Sequence, residues 1–72
     1  HLMIAHNTLI TDLDALNNIS SIDVEGTINI LFNTNLVDFC GIETIVSLDN
    51  YMIANNLYNP TYQNFVDKNC RE

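Results

Sequence analysis

The chain has 72 residues, with two Lys+Arg against nine Asp+Glu and a formal charge of −7. So acidic a chain offers no basic stripe to neutralise phosphates, which disfavours nucleic acid and anionic lipid as partners. At 47% hydrophobic and 15% charged the composition is that of a folded chain, yet one domain of this length buries only about 60% of its unfolded surface and needs a staple.

The chain opens His1-Leu2-Met3-Ile4, without a basic leader region or a long apolar core, and no run approaches the roughly 18 apolar residues of a membrane span. Neither a signal peptide nor a membrane insertion is expected from the residues present, so a secreted protein would stand here without its leader. Leu2 and Ile4 alternate and predict a strand over 2–5. A shift of 26 places Leu2 on Ile28, Ile4 on Ile30, Asn7 on Asn33, Thr8 on Thr34, Ile10 on Leu36, Asp12 on Asp38 and Leu13 on Phe39. A further shift of 23 places Ile28, Ile30 and Asn33 on Tyr51, Ile53 and Asn56. Self-similarity at such a period is the signature of stacked repeats. It predicts one domain over 1–72 with coils at about 1–26, 27–49 and 50–58, and further strands near 27–31 and 51–54.

Between the strands the apolar residues advance in threes: Ile10, Leu13, Leu16, Ile19, Ile22, and again Leu36, Phe39, Ile42, Ile45, Leu48. That period drifts round an α-helix but keeps one edge of a 3₁₀-like or extended ribbon inward, so these stretches read as walls. A helix over 12–18 is the alternative. The recurring Asn7, Asn33 and Asn56 follow each strand, where main-chain groups leave the ladder and a carboxamide can both donate and accept. They are expected to form a buried ladder, although Asn is common here, twelve of 72 residues.

Asn59-Pro60-Thr61 reads as a helix start, with Asn59 as N-cap and Pro60 at the first position, giving a helix over 60–69 that closes the last coil. Cys40 and Cys70 do not form a CxxC pair, which argues against redox or four-ligand zinc chemistry. A disulfide is the economical reading and implies an oxidising compartment, with two buried free thiols as the alternative.

Little in the sequence carries catalytic or metal chemistry. His1 and His6, five apart, would point to opposite faces of a strand and decorate the terminus. Ser20, Ser21 and Ser47 have no His partner in a motif, and Gly26 and Gly41 make no phosphate loop. Asp12, Asp14, Asp23, Glu25, Asp38, Glu43 and Asp49 match no calcium loop and read as solvated charge. Asn18-Ile19-Ser20 is formally a glycosylation sequon, while the proline of Asn59-Pro60-Thr61 disqualifies that one. No enzyme activity, cofactor or metal is expected. A second class is a small acidic carrier-like helical domain, since Gly41-Ile42-Glu43-Thr44-Ile45 is similar to the Gly-x-Asp-Ser-Leu attachment site of acyl carriers. Thr44 stands where phosphopantetheine needs serine, and a helical carrier has no use for a 26-residue repeat.

The pattern Leu-x-x-Leu-x-x-Ile-x-x-Ile followed by Ile-x-Ile-x-x-Asn-x-Asn-Leu resembles the leucine-rich-repeat-like coils of receptor L-domains found in surface and secreted proteins of Bacteroidetes-type bacteria. Asp38-Phe39-Cys40-Gly41-Ile42, Tyr51-x-Ile53-x-x-Asn56, Tyr58-Asn59-Pro60-Thr61 and Asn69-Cys70 resemble the closing segment of that group. The resemblance implies an α/β right-handed solenoid of short parallel strands with a C-terminal capping helix and a Cys40–Cys70 bridge. It also implies export and non-enzymatic recognition, adhesion or support toward an unspecified protein or glycan ligand. The third coil is three residues shorter than the second. The first coil has no neighbour, so the chain is expected to be the tail of a longer protein. Leu2, Ile4, Ile10 and Leu13 at that open edge should meet preceding repeats or a second copy.

Overall fold

The computed structural model describes residues 1–19 and 26–72. Ser20, Ser21, Ile22, Asp23 and Glu25 of the readings above lie outside the described residues. Three short strands, β1 (Leu2–Ala5), β2 (Ile28–Leu31) and β3 (Tyr51–Ala54), form one parallel sheet in the order β1-β2-β3. Leu2 pairs with Ile28 and Ile28 with Tyr51, so strand partners lie 26 and 23 residues apart. The strands at 2–5 and 51–54 stand where the alternation placed them, and the middle one begins at Ile28 rather than 27.

Side chains alternate across the sheet. Leu2, Ile4, Ile28, Ile30, Tyr51 and Ile53 face a core completed by Leu13, Leu36, Phe39, Ile42, Ile45, Val46 and Phe65. The walls turn through single 3₁₀ turns, Asp14–Leu16 and Cys40–Ile42, not through a helix over 12–18. Each turn is held by an aspartate two residues upstream of its first amide: Asp12 Oδ1 accepts from Asp14 N at 3.0 Å, and Asp38 Oδ1 from Cys40 N at 3.0 Å. These two carboxylates therefore hold turns as well as meeting solvent. The turns lie so close that a Cβ on Gly41 would fall inside the Leu13 carbonyl, which explains the glycine.

Two features differ from the sequence reading. The period of three ends at Ile45, because Asn50 ties the next residues into a loop by accepting from Ser47 N (2.8 Å) and donating to the Ile45 carbonyl (3.0 Å). Leu48 is consequently 73% exposed, and Val46 is buried instead. The C-terminal helix, α1, spans only Tyr62–Val66, with Thr61 rather than Asn59 as its N-cap. Thr61 and Asn64 form a reciprocal capping box, and Lys68 in a left-handed conformation (φ 64°) follows the end of the helix. Pro60 is fully buried ahead of the helix rather than at its first position.

Candidate functional site: an asparagine ladder, a bridged end and an open sheet face

At the exit of each strand the chain makes the same turn. His6 (φ 59°), Phe32 (φ 57°) and Asn55 (φ 60°) all adopt the left-handed conformation, and each is followed by the carboxamide that satisfies the turn. Asn33 Oδ1 accepts from Asn7 N (3.1 Å) and Asn7 Nδ2 (3.0 Å), and Asn56 Oδ1 accepts from Asn33 N (3.0 Å) and Asn33 Nδ2 (2.9 Å). The remaining amide hydrogens return to preceding strands, Asn33 Nδ2 to the Ile4 carbonyl and Asn56 Nδ2 to the Ile30 carbonyl. Asn33 and Asn56 are buried with their polar atoms satisfied, whereas Asn7, expected to be buried, is exposed. Asn59, read from sequence as a helix cap, is the last rung: its Oδ1 accepts from Asn56 N (2.9 Å) and Nδ2 (3.0 Å).

The far end is closed covalently. Cys40 and Cys70 form a disulfide with Cα atoms 4.9 Å apart, and free thiols are absent among the described residues. The tail continues antiparallel to residues 37–39, with Phe39 N donating to the Cys70 carbonyl (2.8 Å) and Glu72 N to the Val37 carbonyl (3.0 Å). Tyr58 packs edge-on against Phe39 and donates its hydroxyl to the Asn69 carbonyl (2.7 Å). The Arg71–Asp38 ion pair, at 3.8 Å with Arg71 largely exposed, adds little.

The outer face of the sheet carries Met3, Asn29 and Met52 in one row and Ala5, Leu31 and Ala54 in the next. Met3 and Met52 are 62% and 57% exposed. Beside them His6 stacks on Phe32 with ring centroids 5.0 Å apart and planes within 5°. His6 is thus part of an exposed aromatic pair rather than a loose terminal side chain. Phe32, 45% exposed, is a bulky residue in a conformation that ordinarily costs an L-residue about 1–2 kcal/mol. Sequence reasoning missed this face and its turn. The available signal was the alignment of His6, Phe32 and Asn55, since His and Asn both tolerate the left-handed region.

The other candidates remain apart. His1 Nδ1 lies 3.1 Å from Thr27 Oγ1 at the start of the sheet, away from the His6 ring stacked on Phe32. Ser47 lies in the Asn50 loop, and Thr44 is exposed in a chain whose one α-helix among the described residues has five residues, which does not fit a helical carrier. No group of three or more His, Cys, Asp or Glu that could hold a metal, no pocket, and no helix long and apolar enough to cross a membrane occurs among the described residues. Comparison of the chain with protein-family models, curated proteins and solved structures found no match.

Proposed function

We propose that this chain is a non-enzymatic recognition or adhesion module of the cell surface or secreted space, built as a right-handed solenoid of about three coils. It binds a protein or glycan through the outer face of its sheet. The observation that carries this reading is that face itself: Met3 and Met52 stand exposed on the sheet, and the His6–Phe32 pair stands exposed at the turns that leave β1 and β2. Exposed methionine and aromatic side chains on a rigid frame suit surface recognition, because they bury large area at small ordering cost. The strained Phe32 turn supports it, since strain held by surrounding structure concentrates where side chains must be presented. The solenoid is supported by the parallel register, the two 3₁₀ turns in close contact, and the continuous asparagine ladder. A right-handed path is the rule for parallel strand crossovers. The disulfide suits an oxidising compartment.

The test uses the immobilised chain against a glycan array and a panel of purified extracellular proteins, followed by the double variant Met3→Asp/Met52→Asp. The reading expects a ligand whose binding falls at least about tenfold in the variant, about 1.4 kcal/mol, while circular dichroism is unchanged. Ligand binding indifferent to both substitutions would contradict it, as would turnover of a substrate by the intact chain.

A further inference from the structure

We propose that the open edge of β1 is a docking site for one further extended segment of the pattern apolar-x-apolar-x-x-Asn. The segment runs parallel to β1 in the register that β1 takes with β2. This goes beyond the recognition reading and does not rest on it, because it concerns the edge of the sheet and not its face.

Leu2 N donates to the Thr27 carbonyl (3.0 Å) and His6 N to the Leu31 carbonyl (3.1 Å), so these residues direct their hydrogen-bonding groups at β2. In a parallel ladder alternate residues point opposite ways, so Met3 and Ala5 present theirs at the outer edge. Among the described residues no strand pairs there.

Asn33 Nδ2 and Asn56 Nδ2 each give one hydrogen to the next carboxamide and one to the carbonyl of the preceding strand. Asn7 Nδ2 makes the forward bond to Asn33 Oδ1, but its second hydrogen folds back 3.1 Å to Ala5 O in its own strand. The Oδ1 of Asn33 and of Asn56 each accept two bonds from the rung before, and no donor among the described residues reaches Asn7 Oδ1. Burial is greatest at the middle strand: Ile28 and Ile30 are fully buried, whereas Leu2 and Ile4 on β1, like Tyr51 and Ile53 on β3, are only partly so.

A segment with the stated pattern completes each of these at once. Its two apolar side chains cover Leu2 and Ile4, and its Asn gives N–H and Nδ2–H to Asn7 Oδ1. Asn7 Nδ2 turns from Ala5 O to a carbonyl of the incoming strand, and Ala5 O accepts the N–H that corresponds to His6 N in the β1–β2 pair. The site therefore continues an interface that the molecule already makes twice. A second copy is a poor occupant. Its Asn56, the nearest candidate donor, is held by Asn59, and two chains of charge −7 repel.

The experiment titrates a peptide of residues 26–36, extended by two C-terminal lysines, into the isotope-labelled 72-residue chain. Titration uses concentrations at which sedimentation shows the peptide monomeric. Amide shifts are expected to saturate at Met3, Ala5 and Asn7, including the Asn7 side-chain amide. The same peptide carrying N33L, which leaves the protein untouched and keeps the main-chain N–H, should bind about two- to tenfold more weakly, having lost the Nδ2–H bond to Asn7 Oδ1. Equal affinity of the N33L peptide, shifts confined to the outer face or the C-terminal end, or no shift at about 1 mM peptide would overturn the proposal. So would sedimentation of the chain alone as a dimer that excludes the peptide.

Discussion

Asn33 shows how much one side chain holds. Its carboxamide takes both hydrogens of the Asn7 turn, supplies both hydrogens of its own, and does so with no exposure to water. Replacing it with Ala strands several buried groups, so Asn33→Ala should cost ~3 kcal/mol in urea unfolding, enough to unfold much of so small a domain. Asn7→Ala, at the exposed end, should cost only about 1 kcal/mol. Equal losses from the two would mean that the ladder is not graded between Asn7 and Asn33. Gly41 is constrained by space alone, and Gly41→Ala should lose about 1–3 kcal/mol because the obstacle is the Leu13 main chain and cannot swing aside. At Phe32 two effects oppose. Phe32→Gly relieves about 1–2 kcal/mol of left-handed strain and forfeits a stack worth about 0.5–1.5 kcal/mol, so the net change should stay within about 1.5 kcal/mol. Phe32→Val keeps the strain, loses the stack and should destabilise clearly in the same assay.

Among the elements, the strands were the most legible and the C-terminal end the least. Alternating apolar residues with an Asn in phase define β1 and β3 to the residue, because one buried face fixes a strand's register. The end of the chain misled for a specific reason. Asn59 and Thr61 are both good N-caps and Pro60 suits the first helical turn, so local preference alone puts the helix one step early. The demand of Asn56 for a partner draws Asn59 to the ladder and leaves Thr61 to cap α1. Leu48 misled similarly, since its spacing matches the wall while Asn50 folds the chain out of it. The bridge has a definite weight. It closes a separation of 30 residues, and Cys40→Ser/Cys70→Ser should lose roughly 3 to 4 kcal/mol by chain entropy. Thermal unfolding with and without reductant measures it, and a wild-type transition unmoved by reduction would show that tertiary packing suffices.

For the molecule as a whole, most of the core was legible from spacing, Leu48 and Val46 being the exceptions. The outer face was not legible, because exposed Met and Phe carry no periodic signal and gain meaning only once the strands pair side by side. The ladder was half legible: Asn7, Asn33 and Asn56 follow from their spacing in the sequence, but a fourth carboxamide at Asn59 does not. The ladder is thus polar, exposed at Asn7 and joined to Asn59 at its other end, over a core most buried at β2. Residue-resolved hydrogen exchange of the native chain reads it most directly. Ile28, Ile30, Phe32, Asn33 and Asn56 amides should be the slowest, His6 and Asn7 intermediate, and Met3 and Ala5 close to unprotected. Met3 and Ala5 as slow as Ile30, or Asn33 and Asn56 exchanging as fast as the terminus, would contradict it.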